Sequence, residues 1–406
     1  MDPKQIMVAK AKLFQSHAAL PDIEKRLREL SPPLQEKIKP GSRIAIAVGS
    51  RGINNIDKIV KGLVDILKEL GARPFIVPAM GSHGGGTGAG QAFILAEYGI
   101  SEQTMGVPIL SSMEVIQVGA ISEPVSFPVY MDAHAHDADG TIVINRVKAH
   151  TDFHGTHESG IVKMLVIGLG KHKQAALMHD FGADGLRDFI PLAAGVVLET
   201  GKILGALAII EDGHENTAAI EFASAENFFA VDAALLLRSK ELMAKLPFDA
   251  IDALIVEQMG KDLSGSGMDT NVIGRMRIKG QPDTAPDCGR IAVLDLTEAS
   301  HGNAVGVGLA DITTRRLADK IDWHITNMNA LTSGFLERGF LPIVAEDEMQ
   351  AIDLATGNKH TADGLKLARI RNTLHLKEVY LTEALLTELL AKGKGEQVGD
   401  FEPIGF

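Results

Sequence analysis

Cysteine occurs once in the 406 residues, at position 288. A single thiol excludes an internal disulfide, fits a reducing compartment, and has no second cysteine with which to share a metal. Its expected role is that of a small, partly buried apolar residue. Positive charge is also in short supply: 40 Lys and Arg stand against 52 Asp and Glu, for a net charge of -12. A basic face for nucleic acid or for an anionic membrane surface is therefore not expected. Long apolar runs are missing too. The longest, residues 190–210, is interrupted by Glu199, Gly201 and Lys202, and reads as helix, turn and strand rather than a bilayer span. Residues 1–15 mix charge throughout and lack the apolar core of a secretory signal, so the expectation is a soluble, cytoplasmic protein. No internal repeat and no low-complexity segment is visible.

What is present is an ordinary globular composition, 45% hydrophobic and 23% charged. At this length two domains are expected. After an N-terminal arm with an amphipathic segment at 22–30, Arg43–Val48 (RIAIAV) reads as a strand, residues 57–70 as a helix with apolar residues at helical spacing, and 73–79 as the next strand. Strand, helix and strand with short links make a right-handed βαβ unit. Further strands are expected at 112–121, 140–147 and 203–210, and helices at 91–98, 184–200 and 225–246. Past Pro247-Phe248-Asp249 the alternation restarts, with strands at 253–256, 290–296 and 341–345 and helices near 311–321, at 348–356 and at 383–392 before a Gly-rich end. The expected fold class is α/β: two α/β domains with a site in the cleft between them. The N-terminal domain is placed at 1–245, the C-terminal domain at 246–380, and the tail at 380–406 is expected to return to the first.

One stretch concentrates chemistry. Residues 145–180 contain His150, His154, His157, His172 and His179, five of the chain's 14 histidines. Imidazole exchanges protons near neutral pH and ligates borderline metals, so such density points to a site rather than to a solvated loop. A glycine-rich loop, residues 80–91 (MGSHGGGTGAGQ), follows the strand at 73–79 and includes His83. It lacks the Gly-Lys-Ser/Thr of a P-loop and is a poor dinucleotide fingerprint, but loops at strand ends of α/β sheets are where ligands bind. Arg51 stands at another strand end, where a guanidinium can clamp a carboxylate through two parallel hydrogen bonds. Gln258 and Lys261 open the second domain. His150, His154 and His157 could instead form the zinc site of a hydrolase, although no His-Glu-x-x-His occurs and the segment is rich in turn formers.

Taken in order, these motifs resemble the nickel-dependent lactate racemase family. The segment Ser159-Gly160-Ile161-Val162-Lys163, with His150 before it and His179 after it, is similar to that family's Ser-Gly-Gly-x-Lys signature between two histidines. The resemblance implies that Lys163 attaches a nickel-pincer nucleotide and that His179 is the nickel ligand. Gly49-Ser50-Arg51 resembles the strand-end arginine motif, which implies that Arg51 holds the substrate carboxylate. Gly81-Ser82-His83 resembles the Gly-Thr-His motif, which makes His83 one catalytic histidine and His150 the other. Gln258-Met259-Gly260-Lys261 is similar to a Gln-x-x-Lys whose two polar residues also handle the carboxylate. The likeness covers roughly residues 40–270. Three positions depart from the pattern: Val48 replaces an aspartate, Ile161 replaces the second glycine, and Glu257 stands where a lactate enzyme has tyrosine. The spacing from His150 to Lys163 is long and leaves His154 and His157 as rivals for the base.

The implied activity is racemisation or epimerisation of a 2-hydroxy acid, with the acidic Glu257 favouring a substrate larger or more polar than lactate. The implied partners are that substrate, cofactor-synthesis proteins and further copies of the chain. Two other classes stay open on the residues alone: the zinc-type hydrolase and a non-catalytic protein that binds a nucleotide cofactor.

Overall fold

The computed structural model describes residues 6–49, 52–357 and 364–405. Two compact units emerge. The first strand, β1 (Met7–Leu13), belongs with the unit that also takes in Thr151–Phe153 and the chain from Ala244 onward, while His17–His150 and His154–Met243 form the other.

The unit that begins at His17 is built on β2 (Arg43–Val48), β3 (Arg73–Pro78), the hairpin β4 (Val115–Ile121) and β5 (Phe127–Asp132), β6 (Gly140–Arg146), β7 (Ile203–Glu211) and β8 (Thr217–Ser224). Its five-stranded sheet has the order β3-β2-β6-β7-β8. The first four strands are parallel and β8 closes the edge antiparallel to β7. The last five residues of β2 are all buried, as expected of a parallel strand covered on both faces. The helix Ile56–Glu69 lays Ile59, Val60, Leu63, Val64 and Leu67 into a core with Ile44, Ile46, Ile142 and Ile144. The chain leaves β2 toward β3 on one side and later returns to β2's other side as β6. The order of the sheet therefore reverses at β2, and the carboxyl ends of β3, β2 and β6 flank that switch point, the usual ligand position in open α/β sheets.

The other unit carries β9 (Ala250–Val256), β10 (Asp287–Val293), β11 (Ile312–Thr314), β12 (Ile343–Ala345), β13 (Leu367–Ile370), β14 (Glu378–Leu381) and β15 (Gly395–Pro403). With β1 they form one eight-stranded sheet, ordered β12-β11-β10-β9-β13-β14-β1-β15. Alternate residues of β9 feed separate cores, Leu254 and Val256 on one face and Ala253 and Ile255 on the other.

Two expectations change here. The tail does not return to the N-terminal unit: β15 pairs antiparallel with β1, and β1 with β14, so both chain ends complete the eight-stranded sheet. The segment near 311–321 is not mainly helix. Its first residues form β11, parallel to β10 and β12, with the Thr313 and Thr314 hydroxyls donating to the Val293 and Leu294 carbonyls at 3.0 and 2.6 Å. Only Arg315–Ala318 is helical, capped by Thr314. Threonine suits both roles, β-branched for the strand and a side-chain acceptor for the cap. Among the described residues, no helix is long and apolar enough to cross a membrane.

Candidate active site

Three strand ends meet at the switch point. Gly49 follows β2 so closely packed that a Cβ there would lie 3.1 Å from Asn145 Oδ1 on β6 and 3.3 Å from Met164 Cε. Arg51, two residues on, lies outside the described residues. After β3 the chain turns through Gly81, whose φ of +61° suits glycine. A Cβ there would press on Ile167 at 3.0 Å and on Ala175 at 3.5 Å. The loop that presents the exposed His83 thus rests on two elements: the turn that follows Lys163 and the helix that ends near His179. In that helix, Lys171–Asp180, Lys171, Ala175 and His179 recur at intervals of four. His179 therefore shares the helix face that packs on the glycine loop.

Past β6 the chain makes a loop closed on itself. Lys148 and Ser159 exchange backbone hydrogen bonds at 2.8 and 3.2 Å. Inside it Glu158 is buried, accepting the His150 N–H at 2.7 Å and the Gly155 N–H at 3.2 Å, with Lys240 Nζ at 2.6 Å and His154 Nδ1 at 3.4 Å. Burial pushes the Glu158 carboxyl up, but the bonds from His154, Lys240 and the His150 amide outweigh it and hold the group below its ordinary range. The Asn145 amide donates to the Gly160 carbonyl at 2.8 Å. Asp232, fully buried on the helix Phe228–Leu242, accepts the Val162 N–H at 3.3 Å and lies 3.0 Å from His157 Nδ1. A Cβ on Gly160 would overlap the Asp232 carboxylate, which explains the glycine at this position.

These anchors aim a short helix, Ile161–Lys163, at the switch point. Lys163 Nζ lies 2.5 Å from His150 Nε2. An ammonium donates to the neutral imidazole in that geometry, and the imidazole is placed to take a proton when the amine must act as a nucleophile. The helix continues through a widened turn, Met164–Gly168, and breaks at Lys171, whose φ is +56°.

Lys171 is fully buried. Its ammonium donates to the Pro78 carbonyl at the end of β3 and to Gln91 Oε1 at 3.2 Å, and pairs with Asp132 at 3.1 Å. Three acceptors match its three protons. Burial pulls its pKa down, and Asp132 offsets part of that. Gln91 in turn donates to the Gly81 and His83 carbonyls at 2.9 and 3.3 Å, so the buried lysine also holds the His83 loop.

Within this unit the structure gathers the His83 loop, His150, Lys163 and the helix of His179 around the same strand ends. The rival zinc trio is not formed. His150 faces Lys163, His154 faces Glu158, and His157 faces Asp232; among the described residues no three His, Cys, Asp or Glu converge as metal ligands. Gln258 and Lys261 belong to the other unit. There the Gln258 N–H donates to the Arg371 carbonyl at 2.9 Å, the Lys261 N–H donates to Ser300 Oγ at 2.9 Å, and Lys261 Nζ bonds the Gly265 carbonyl. Gly260 between them has no room for a Cβ against Thr297, Asp262 and Ser300. Glu257, expected to face substrate, has Arg369 Nε on its carboxylate at 2.7 Å. Cys288 is buried as expected, its thiol pushed up to about 12 by burial.

The reading of the sequence missed Glu158, Asp232, Lys171, Gln91 and Asp132. Only Asp232 leaves a trace in the sequence, a lone carboxylate in the apolar run FFAVDAALLL. The others look like ordinary surface residues until the tertiary structure buries them.

No protein-family model and no curated protein sequence matches the chain. A solved structure does: the lactate racemase apoprotein from Thermoanaerobacterium thermosaccharolyticum, at a TM-score of 0.56 and 13% identity, over 89% of this chain and 93% of that one. The shared property is the fold, an α/β architecture similar to that of a lactate racemase.

Proposed function

We propose that this protein is an isomerase, a racemase or epimerase of a 2-hydroxy acid that works with a nickel-pincer nucleotide attached to Lys163. The observation that carries the reading is the Lys163–His150 pair at the switch point of a lactate racemase-like fold. The residues present suit that cofactor. They offer one amine for attachment, with an imidazole in reach of it, and a further histidine, His179, one turn after Ala175 on the helix that meets the glycine loop, where His172 lies beside Gly86. A pincer ligand supplies most of the metal's donors itself, so one imidazole is all the chain needs to add. When bound, the group supplies an electrophile that accepts and returns the substrate's hydride, chemistry no side chain provides.

The chain's own residues do the rest. His83 and His150 act as general bases toward the 2-hydroxyl, one for each hand of the substrate. Gln91 and Lys171 keep the His83 backbone fixed while the centre inverts. Arg51 holds the carboxylate, with Gln258 and Lys261 as further carboxylate-handling residues. Cofactor-synthesis proteins are the partners that load the chain. Because Glu257 has Arg369 on it, a preference for a larger or more polar substrate does not follow from that carboxylate.

The test is production of the protein in cells that synthesise the cofactor, followed by intact mass, nickel content and chiral analysis of lactate, hydroxy-dicarboxylates and sugar acids. An adduct on Lys163 with stoichiometric nickel and interconversion of one 2-hydroxy acid is expected. An unmodified mass in such cells would overturn the reading, and an adduct without turnover would favour a cofactor-binding protein.

A further inference from the structure

The two edges of the eight-stranded sheet are treated differently. The β15 edge sets Glu396, Asp400 and Glu402 among the exposed Val398 and Phe401, and those charges discourage strand-to-strand association. At the β12 edge the exposed side chains are apolar. From Trp323 to Leu336 there is no Asp, Glu, Lys or Arg, and from there to Ala345 the ionisable residues are Glu337 and the buried Arg338. In a chain with 23% charged residues that gap is a compositional signal of an interface.

The geometry makes the gap continuous. The helix Trp323–Ser333 buries Thr326 and Ala330 and turns Met328 and Leu331, three residues apart, outward. It packs on the turn Leu336–Gly339, which runs through Phe340 directly into β12. Trp323, Met328, Leu331, Leu336, Phe340 and Ile343 are 43, 48, 62, 49, 63 and 62% exposed. Large side chains bury roughly 150–250 Å² each, so these six leave on the order of 600 Å² of apolar surface open, at the upper end of what a monomer tolerates. A standard interface needs about 800 Å² per partner.

We propose that this face is the interface of a homodimer, with a second copy of the chain related by a two-fold axis. A second copy fits better than a partner of opposite charge, because the face is nearly neutral while the chain carries -12. Two chains of this net charge repel overall, and the repulsion is least across a face that carries little charge. A two-fold axis also lets one apolar face serve both sides. The inference is independent of the proposed activity.

Sedimentation or light scattering on the full chain tests it. The wild type is expected at twice the 43.3 kDa chain mass. Leu331→Glu and Phe340→Asp are each expected to weaken the dimer by roughly 30-fold or more, the scale of an interface hot spot. Leu237→Glu, equally exposed at 66% but in the other unit, is expected to leave it intact. Circular dichroism and thermal midpoint confirm that the variants fold. A wild type that stays monomeric across the accessible concentrations overturns the proposal. A dimer untouched by both Leu331→Glu and Phe340→Asp overturns it as well.

Discussion

One carboxylate serves two partners beside Lys163: Asp232 lies 3.0 Å from His157 Nδ1 and accepts the N–H of Val162 at 3.3 Å. The residue that follows Val162 is Lys163. A buried acid on one helix thus fixes both a neighbouring imidazole and the start of the turn that presents the amine, and Gly160 is the space in which it sits.

Gly160→Ala is expected to destabilise the protein by about 1–3 kcal/mol through overpacking against that carboxylate. Combining it with Asp232→Ala removes the clash, so the double variant should lose less than the sum of the two singles. Urea denaturation of the four proteins in the cycle measures this, and strict additivity would show that the two groups do not meet.

Lys171→Met leaves the buried Asp132 without its cation and should cost about 3–5 kcal/mol, the scale of a broken buried pair. Adding Asp132→Asn, which keeps the oxygen that caps Ala135, should restore part of it. Because Gln91 loses its anchor, the single variant should also expose the His83 loop to faster amide exchange, which hydrogen exchange reads directly.

Lys163→Ala is expected to abolish cofactor attachment by intact mass. His83→Ala should retain the adduct and lower kcat by roughly 10²–10⁴-fold, as loss of a general base does. An adduct that persists on Lys163→Ala would move the attachment point elsewhere. Unchanged kcat in the loaded His83→Ala variant would remove His83 from the mechanism.

The Glu158 carboxyl is held below its ordinary pKa in the folded state. A depressed carboxyl stabilises the fold above the unfolded value, near about 4.3, and that contribution disappears as pH falls through the lower folded value. Acid denaturation followed from pH 6 downward, a range chosen to start about two units above that unfolded value, should therefore be less steep for Glu158→Gln than for the wild type. The variant should already be weaker at neutral pH, because it removes the buried carboxylate charge that Lys240 Nζ meets at 2.6 Å.

Much was legible before any coordinates. The β2-helix-β3 unit follows from local pattern alone: RIAIAV is a strand buried from its second residue on, and residues 57–70 carry their apolar side chains at helical spacing. That the His83 loop, His150 and Lys163 lie near one another also follows from their places along the chain, because the carboxyl ends of parallel strands share one end of the sheet. The burial of Cys288 also follows from its residue type.

What the sequence could not determine depends on partners distant in the chain. β1 and β15 are short, mixed segments at opposite ends, and they are strands because each completes the other's hydrogen-bond ladder. The histidine cluster shows the same limit. Spacing alone could not rank His150, His154 and His157, since all three carry the same side chain in similar polar surroundings. Tertiary structure assigned them by the group each meets: Lys163 for His150, Glu158 for His154, and Asp232, 75 residues away, for His157. Local pattern specifies which backbone forms, while a side chain's chemistry is decided by what the fold buries beside it.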